Sequence, residues 1–507
     1  MHQQTVQKVE FGDFQTPLSL AREVAEVVAR AGFSPSAVIE PTCGEGAFLL
    51  AALEQFSSAD SFLGLDQNAA HVERARLLTQ EAAKHKSIQI LQGNFFDVEW
   101  PKLIAHLPRP FLILGNPPWV TNATLGNLGS TNHPEKKNQG DLRGIEAITG
   151  RSNFDISEWM IRQSMGWLEG GEGMLAVLCK TTVARKVLSF VWSQNLSIAT
   201  AEIRRIDAKR YFNASVDACL LIIGVRPGIA SRECSDYDSL AATTPRAIFG
   251  IREGVLVADI PLFERRRELL GRGLIGWRSG IKHDCSSVFE LTRGGTNYRN
   301  GVGTDFAVEE EVIFPLLKSS DLANHNLPRK WLLVPQRTIT DSPELLRDVA
   351  PKAWEYLCAH TTLLAKRSST IYRNRPPFSI FGIGAYSFSR WKVGISGLYK
   401  KLDFVPIAPF EGKPVVLDDT CYFYPCDTQH ECDILCKLVQ SEAAQEFWSS
   451  LIFWDAKRPI TAQILNLLDL KALGRIVGIE YSEVQGLSER QVVPYVEGTR
   501  QLLLFQD

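Results

Sequence analysis

One segment narrows the folds open to this chain more than any other: Ala37-Val-Ile-Glu-Pro-Thr-Cys-Gly-Glu-Gly-Ala-Phe48, an apolar run broken by Pro41, Gly44 and Gly46 before an apolar helical pattern begins. A strand that turns on glycines into a helix is the first half of a βα unit, and glycine there lets the backbone take positive φ and approach a ligand closely. The start of the following helix offers N–H groups with no intrahelical partner. Asp66 stands twenty residues after Gly46, at the end of the next apolar run. A carboxylate in that place can accept both hydroxyls of a ribose. Leu49 occupies the position where a dinucleotide fingerprint has its third glycine, and no Gly-Lys-Ser/Thr follows. The pattern therefore predicts a nucleoside site, with Gly44, Gly46 and Asp66 in it, and an ordinary tight βα turn as the bland alternative.

The same rhythm runs through the first half of the chain. Strands are expected at Ala37–Glu40, Ser61–Asp66, Ile88–Gln92, Phe111–Gly115, Gly173–Cys179, Ala201–Asp207 and Asp217–Val225, and helices at Leu18–Ala31, Ala47–Phe56, Ala69–Lys84, Asp155–Leu168 and Val183–Gln194. Alternation of this kind builds an α/β fold around a largely parallel sheet, and the last two strands, lacking a long helix between them, would close it antiparallel. The first domain spans 1–226 on this reading. Pro227, Gly228, Pro245, Gly250 and Gly254 punctuate the next segment, so 227–276 is expected to be a connector with short hairpins. From Trp277 to Asp507 the rhythm is lost and aromatic-rich irregular segments take over, with helical patterns at Glu431–Glu442 and Ile464–Leu473. Residues 277–507 make a second domain.

Two further strand ends carry chemistry. In Leu91-Gln-Gly-Asn-Phe-Phe-Asp97, Asn94 can bond an adenine amino group while Phe95 packs on its ring, or Phe95 and Phe96 are core residues. Leu112-Ile-Leu-Gly-Asn-Pro-Pro-Trp119 is the most specific signal. Two prolines lock φ and remove donors, leaving a rigid turn that can aim the Asn116 side-chain oxygen and the Pro117 carbonyl at one planar amino group, with Trp119 as a stacking face. An exocyclic ring amine is a poor nucleophile because its lone pair is delocalised. Two acceptors on its N–H bonds would favour a pyramidal nitrogen and stabilise the charge that develops as a methyl arrives.

At these residues the chain resembles the class I S-adenosylmethionine-dependent methyltransferases, and within them the TaqI-like, gamma-class adenine-N6 DNA methyltransferases. The likeness covers roughly the first 225 residues, in the family's motif order. Phe11-Gly-Asp-Phe-Gln-Thr-Pro17 is similar to the motif that closes over the methionine end of the cofactor, which implies a contact from Thr16. Glu40 to Phe48 is similar to the cofactor loop and brings in Glu40 and Thr42. Asp66 sits at the ribose-binding acid, and Asn94 stands where the family often has Asp. Asn116-Pro117-Pro118-Trp119 matches the catalytic motif, with Trp where Tyr or Phe is commoner. Tyr211-Phe-Asn-Ala-Ser-Val216 fills the slot of an aromatic that packs on the extruded base, and Phe212 is taken as that residue. The resemblance implies a Rossmann-like seven-stranded methyltransferase sheet, a C-terminal mixed α+β target-recognition domain, S-adenosylmethionine as cofactor, and site-specific adenine-N6 methylation of double-stranded DNA by base flipping in restriction-modification or phage defence. A cognate restriction endonuclease or defence-system subunits would be its partners, and the chain itself a monomer. N4-cytosine or RNA methylation and a non-catalytic DNA-binding subunit are the rival readings. C5-cytosine chemistry needs a thiolate, and the sole Pro-Cys, Pro425-Cys426, lies far from the cofactor motifs and precedes Asp427.

Charge bears on the partner. The net charge of −2 looks unsuited to nucleic acid, but it averages unlike regions. Residues 1–100 hold seven Lys/Arg against thirteen Asp/Glu, while 361–405 hold eight (Lys366, Arg367, Arg373, Arg375, Arg390, Lys392, Lys400, Lys401) against Asp403 alone. With interleaved aromatics, that basic stretch suits phosphate contacts through Arg373, Arg375, Arg390 and Lys392, or is a solvated face over buried rings. Lys136 and Lys137, in the Gly- and Asn-rich stretch 121–153, are further DNA-contact candidates by resemblance, a mobile lid being the alternative. Cys421, Cys426, His430, Cys432 and Cys436 match no pair of short Cys-x-x-Cys knuckles, so free thiols and no metal are expected. Ten scattered cysteines, a polar stretch from Met1 to Glu10 and the lack of any apolar run near the roughly 18 residues of a membrane span predict a cytoplasmic protein outside the membrane.

Overall fold

Strands made wholly of apolar residues have no face to offer water, so they must lie inside a sheet covered on both sides. The computed structural model places them there. It describes residues 15–83, 85–120, 155–271 and 274–491, and the chain divides into two compact units between Leu256 and Val257.

The first unit is built on a sheet in the order β10-β9-β8-β6-β7-β5-β4-β1-β2-β3. Its strands are β1 (Ala37–Glu40), β2 (Ser61–Asp66), β3 (Ser87–Gln92), β4 (Phe111–Gly115), β5 (Gly173–Lys180), β6 (Ile198–Ile206), β7 (Ala218–Val225), β8 (Glu233–Tyr237), β9 (Ala247–Arg252) and β10 (Val255–Val257). Every residue of β1, β4 and β7 is buried. From β3 through β2, β1 and β4 to β5 the neighbours are parallel, and β7 then enters antiparallel between β5 and β6. The chain reverses strand order beside β1 and β4, and crevices outside the carboxyl ends of parallel strands are where α/β sheets bind ligands.

Six helices matter for the site: α1 (Leu18–Arg30), α2 (Ala47–Gln55), α3 (Ala69–Ala83), α4 (Trp100–Ile104), α5 (Ile156–Gly166) and α6 (Thr181–Ser193). On α1 the buried residues Leu20, Ala21, Val24, Ala25, Val27 and Val28 recur at helical spacing and form one stripe against the core. The seven strands expected from the sequence are present, and three more extend the sheet. These are β8 to β10, from the segment read as a connector with short hairpins. β8 pairs parallel with β6, and β9 pairs antiparallel with β8. Asp236 on β8, 6% exposed, takes hydrogen bonds from Arg205 (3.0 Å) and Arg246 (2.9 Å), so the added strands are tied to the edge by buried charge as well as backbone bonds.

The second unit holds two smaller sheets. One runs β14-β13-β12-β16-β15-β19 and uses β12 (Glu290–Gly294), β13 (Asn297–Arg299), β14 (Asp305–Phe306), β15 (Ile313–Leu317), β16 (Lys330–Leu333) and β19 (Val416–Leu417). The other runs β11-β20-β17-β18, from β11 (Arg278–Ser279), β17 (Trp391–Ser396), β18 (Val405–Ile407) and β20 (Cys421–Cys426). Helices α7 (Pro351–Ala359), α8 (Gln429–Val439), α9 (Glu442–Leu451) and α10 (Leu470–Val477) accompany them. Among the described residues no helix is long and apolar enough to cross a membrane.

Candidate active site

The carboxyl ends of β1, β2, β3 and β4 surround a cavity that opens to solvent. Thr16, Glu40, Thr42, Gly44, Asp66, Asn94, Phe95 and Asn116 all line it, so the structure brings together nearly every cofactor residue expected from the sequence. The described lining carries two carboxylates, Glu40 and Asp66, and no Lys or Arg. Such a site suits a ligand with cationic groups better than a phosphate.

Each side chain is held by its own strand end. Gly44 and Gly46 take φ of 51° and 87°, which L side chains rarely adopt. Gly46, however, lies outside the lining: a Cβ there would sit 2.9 Å from that of Ala75, so its glycine is needed for the close approach of α3 to α2, not for a ligand. Glu40 is 2% exposed and accepts the Leu49 N–H at 3.1 Å, closing the open end of α2. Burial raises its carboxyl well above the usual range, the Leu49 bond pulls it down, and the Asp66 charge raises it again. Burial likewise pushes up the thiol of Cys43, another lining residue.

Asp66 accepts the Gly44 N–H at 3.0 Å on one oxygen and the Asn68 N–H at 2.8 Å on the other. Each oxygen keeps a further lone pair. Asn94 spends part of its carbonyl on a local turn, accepting the Phe96 N–H at 3.1 Å. Phe95 is buried in a group with Phe96, Trp100, Trp159 and Trp167 at centroid separations of 5.2–6.0 Å, so the ring serves the core while it walls the cavity. Gln15 and His71 are among the lining residues that the sequence reading did not single out. Gln15 accepts the Glu45 N–H at 3.0 Å, and the Nδ1 of His71 lies 3.6 Å from Asp66. Gln15 is the neighbour of Thr16 in the quoted motif, and His71 sits in the first turn after the ribose acid, which are the signals that could have found them.

The Asn-Pro-Pro-Trp turn leaves β4 at the cavity's edge. Asn116 donates from Nδ2 to Thr16 Oγ1 at 3.3 Å, and Pro118 and Met160 complete that wall. Trp119 and Phe212 were expected to offer open faces to a base. Instead they are 9% and 8% exposed and meet edge to face at 5.3 Å, with the Trp119 indole N–H on the Leu178 carbonyl at 3.4 Å. Tyr211, the neighbour passed over, turns to Glu23 at 3.4 Å. Lys180, at the end of β5, donates to the Trp119 carbonyl at 3.1 Å and to Asp155 at 2.6 Å. Nothing in the local sequence marks the Lys180–Asp155 pair, since its members lie twenty-five residues apart on different elements.

In the second unit, Arg373, Arg375 and Arg390 are exposed, and the aromatics between them turn inward: Phe378 packs on Trp354 and Phe388 on Phe314. Lys392 is a correction. It is fully buried on β17, its ammonium on the Ser389 carbonyl, and reaches no surface. Burial lowers its pKa to about 7. Cys421 and Cys426 lie on β20 and Cys432 and Cys436 on α8, all buried, while His430 is exposed. No group of three metal-ligating side chains is assembled among the described residues. Lys136 and Lys137 lie outside the described residues.

No family model matches the chain. Over 473 residues it is 41% identical to the type II methyltransferase M.NspV of Nostoc sp., a match covering 93% of this chain and 98% of that protein. Among solved structures it is similar to the type IIL restriction-modification enzyme MmeI in complex with DNA, at a TM-score of 0.50 and 13% identity over 88% of this chain. The match spans 63% of MmeI, less than two thirds of its length, and speaks for the fold alone.

Proposed function

The chain belongs to the type II methyltransferases, and on that premise we propose that it methylates the exocyclic N6 of an adenine within a short site in double-stranded DNA, as the modification partner of a restriction endonuclease. S-Adenosylmethionine is its cofactor, and the cavity fits it. Two carboxylates face a space without Lys or Arg among its described lining, and Thr42 Oγ1 is buried with no hydrogen-bond partner among the described residues. Asp66 would take the ribose hydroxyls on its remaining lone pairs, Asn94 and Phe95 the adenine ring, and Thr16, Glu40 and Thr42 the methionine end. When bound, the cofactor supplies a methyl group on a positively charged sulfur.

The observation that carries the reading is that Asn116 lines the same cavity as Asp66 while rising from a turn whose two prolines hold it rigid. In this reading the side-chain oxygen of Asn116, whose Nδ2 donates to Thr16, and the Pro117 carbonyl would accept the two N–H bonds of the amine. They draw the nitrogen toward a pyramidal form and stabilise its charge during transfer; the proton leaves afterwards to solvent, so no strong base is required. A stacked base cannot reach such a turn, so the adenine is extruded at a cost of a few kcal/mol. The Trp119–Phe212 pair would pack behind the turn and not against the base itself.

Asn116→Ala is expected to lower methyl transfer by at least a hundredfold, with cofactor affinity changed less than threefold. Long-read sequencing that detects modified bases, on DNA from cells expressing the protein and the variant, reports base, position and motif together. N4-methylcytosine in the motif would overturn the choice of base, and the absence of any modified motif would overturn DNA as the substrate.

A further inference from the structure

The parallel ladder between β4 and β5 ends at the pair Gly115–Val177. It cannot continue through Pro117 and Pro118, which have no N–H to give. Two side-chain bonds to the end of β5 take its place. The Trp119 indole donates to the Leu178 carbonyl at 3.4 Å, and Lys180 Nζ donates to the Trp119 carbonyl at 3.1 Å. Lys180 reaches the other way to Asp155 Oδ2 at 2.6 Å. Asp155 caps α5 by accepting the Ser157 N–H at 3.1 Å, and beside it the Ile156 N–H meets the Val120 carbonyl at 2.9 Å. One turn along, α5 carries Met160 into the cavity wall.

We propose that Lys180 is a positioning residue of the transfer site, whose ammonium locks the Asn-Pro-Pro-Trp turn to the helix that places Met160. The proposal rests on the methyl-transfer reading above. Lys180 does not line the cavity, so it acts through Trp119 and α5 and touches neither cofactor nor base. Its side chain is 24% exposed and that of Asp155 10%, so the pair is largely withdrawn from water and replaces bonds that solvent could not. Asn116 precedes the anchored Trp119 by three residues with two locked φ angles between, so a shift at the Trp119 carbonyl passes to the Asn116 amide. Misplacement of such a group by about 1 Å costs on the order of a hundredfold in rate.

The test combines a rate with a readout that does not need turnover. Lys180→Met is expected to slow single-turnover transfer at least tenfold while the cofactor Kd stays within twofold. Lys180→Arg, able to bond both partners, should recover most of the rate. Lys180→Met with Asp155→Asn should remain slow, because the Trp119 carbonyl is still unheld; recovery there would assign the defect to an unpaired carboxylate and overturn the proposal. In protein carrying 5-fluorotryptophan, with the Trp119 signal assigned by its loss in Trp119→Phe, the 19F resonance should shift or broaden in Lys180→Met and keep its place in Lys180→Arg. An unmoved Trp119 resonance, or a wild-type rate in Lys180→Met, overturns the proposal. Should Lys180→Met not fold, Lys180→Gln, too short to span both partners, is judged by the same two readouts. If the wild-type enzyme transfers no methyl to DNA, the functional reading fails, and the 19F arm still decides whether Lys180 holds the turn.

Discussion

Asp66 and Lys392 mark what a single position reveals. Asp66 was legible because spacing from the glycines puts an acid at a strand end, and strand ends of parallel sheets face the ligand crevice. Its two backbone partners, Gly44 and Asn68, come from two different turns. Lys392 was misread because a cationic residue in a cationic stretch suggests solvent, yet β17 is buried along nearly its whole length. The cost of enclosing that ammonium should be visible as pH dependence. Desolvation lowers its pKa from an ordinary 10.5 to about 7, so between those values the unfolded chain binds a proton that the folded one does not. Stability on this account rises with pH from about 7 to 10.5, and the contribution is lost as pH falls through 7. Lys392→Met is expected to flatten that slope and to stabilise the protein at pH 6.5 by a few kcal/mol, on the order of the shift at about 1.4 kcal/mol per unit. Urea midpoints at pH 6.5 and 9.5 check it, and an unchanged slope would count against a buried, neutral lysine.

At the scale of elements, the strand and helix pattern of the first unit was readable because apolar runs and amphipathic stretches alternate at different periods. The purpose of individual turn residues was less so. Gly46 reads from sequence like Gly44, as a residue clearing space for a ligand, whereas its neighbour in space is α3. Gly46→Ala therefore combines a positive φ with a clash on Ala75, at an expected cost of about 2–3 kcal/mol. Ala75→Gly in the same chain should return only the part of that loss that comes from the Cβ contact, since the Ala75 Cα also lies 3.0 Å from the added Cβ and the strain is left in place. Thermal unfolding of the single and double variants measures both, and purely additive losses would show that the two residues do not interfere. The Asn-Pro-Pro-Trp turn follows the same lesson. Its rigidity is written in the prolines, but its anchoring by Lys180 comes from a neighbouring strand that no local pattern announces.

Across the whole molecule, the acidic first hundred residues and the basic stretch in the second unit belong to different bodies, so their opposite charges need not cancel. On the proposed DNA-modifying reading, the exposed Arg373, Arg375 and Arg390 supply phosphate contacts while the rings between them build the core. Replacing all three by alanine is expected to weaken binding to any duplex alike and to reduce the slope of log K against log salt by about 0.9 for each phosphate no longer neutralised. Fluorescence anisotropy between low and physiological salt measures this, and an unchanged slope would remove these arginines from the interface. Strands β8 to β10 fall in the segment read as a connector with short hairpins, where Gly- and Pro-punctuated stretches show little periodicity; they join the large sheet because the open edge of β6 pairs with β8, and β8 with β9. By itself the sequence determined the βα order, the placing of Gly44 and Asp66 at neighbouring strand ends and the rigid Asn116 turn, since each follows from local sterics and periodicity. Only the tertiary structure decided that Trp119 and Phe212 close on each other, that Lys392 is interior and that Lys180 clasps the turn. Those outcomes depend on which distant surfaces exclude water from one another, and local periodicity carries no record of that.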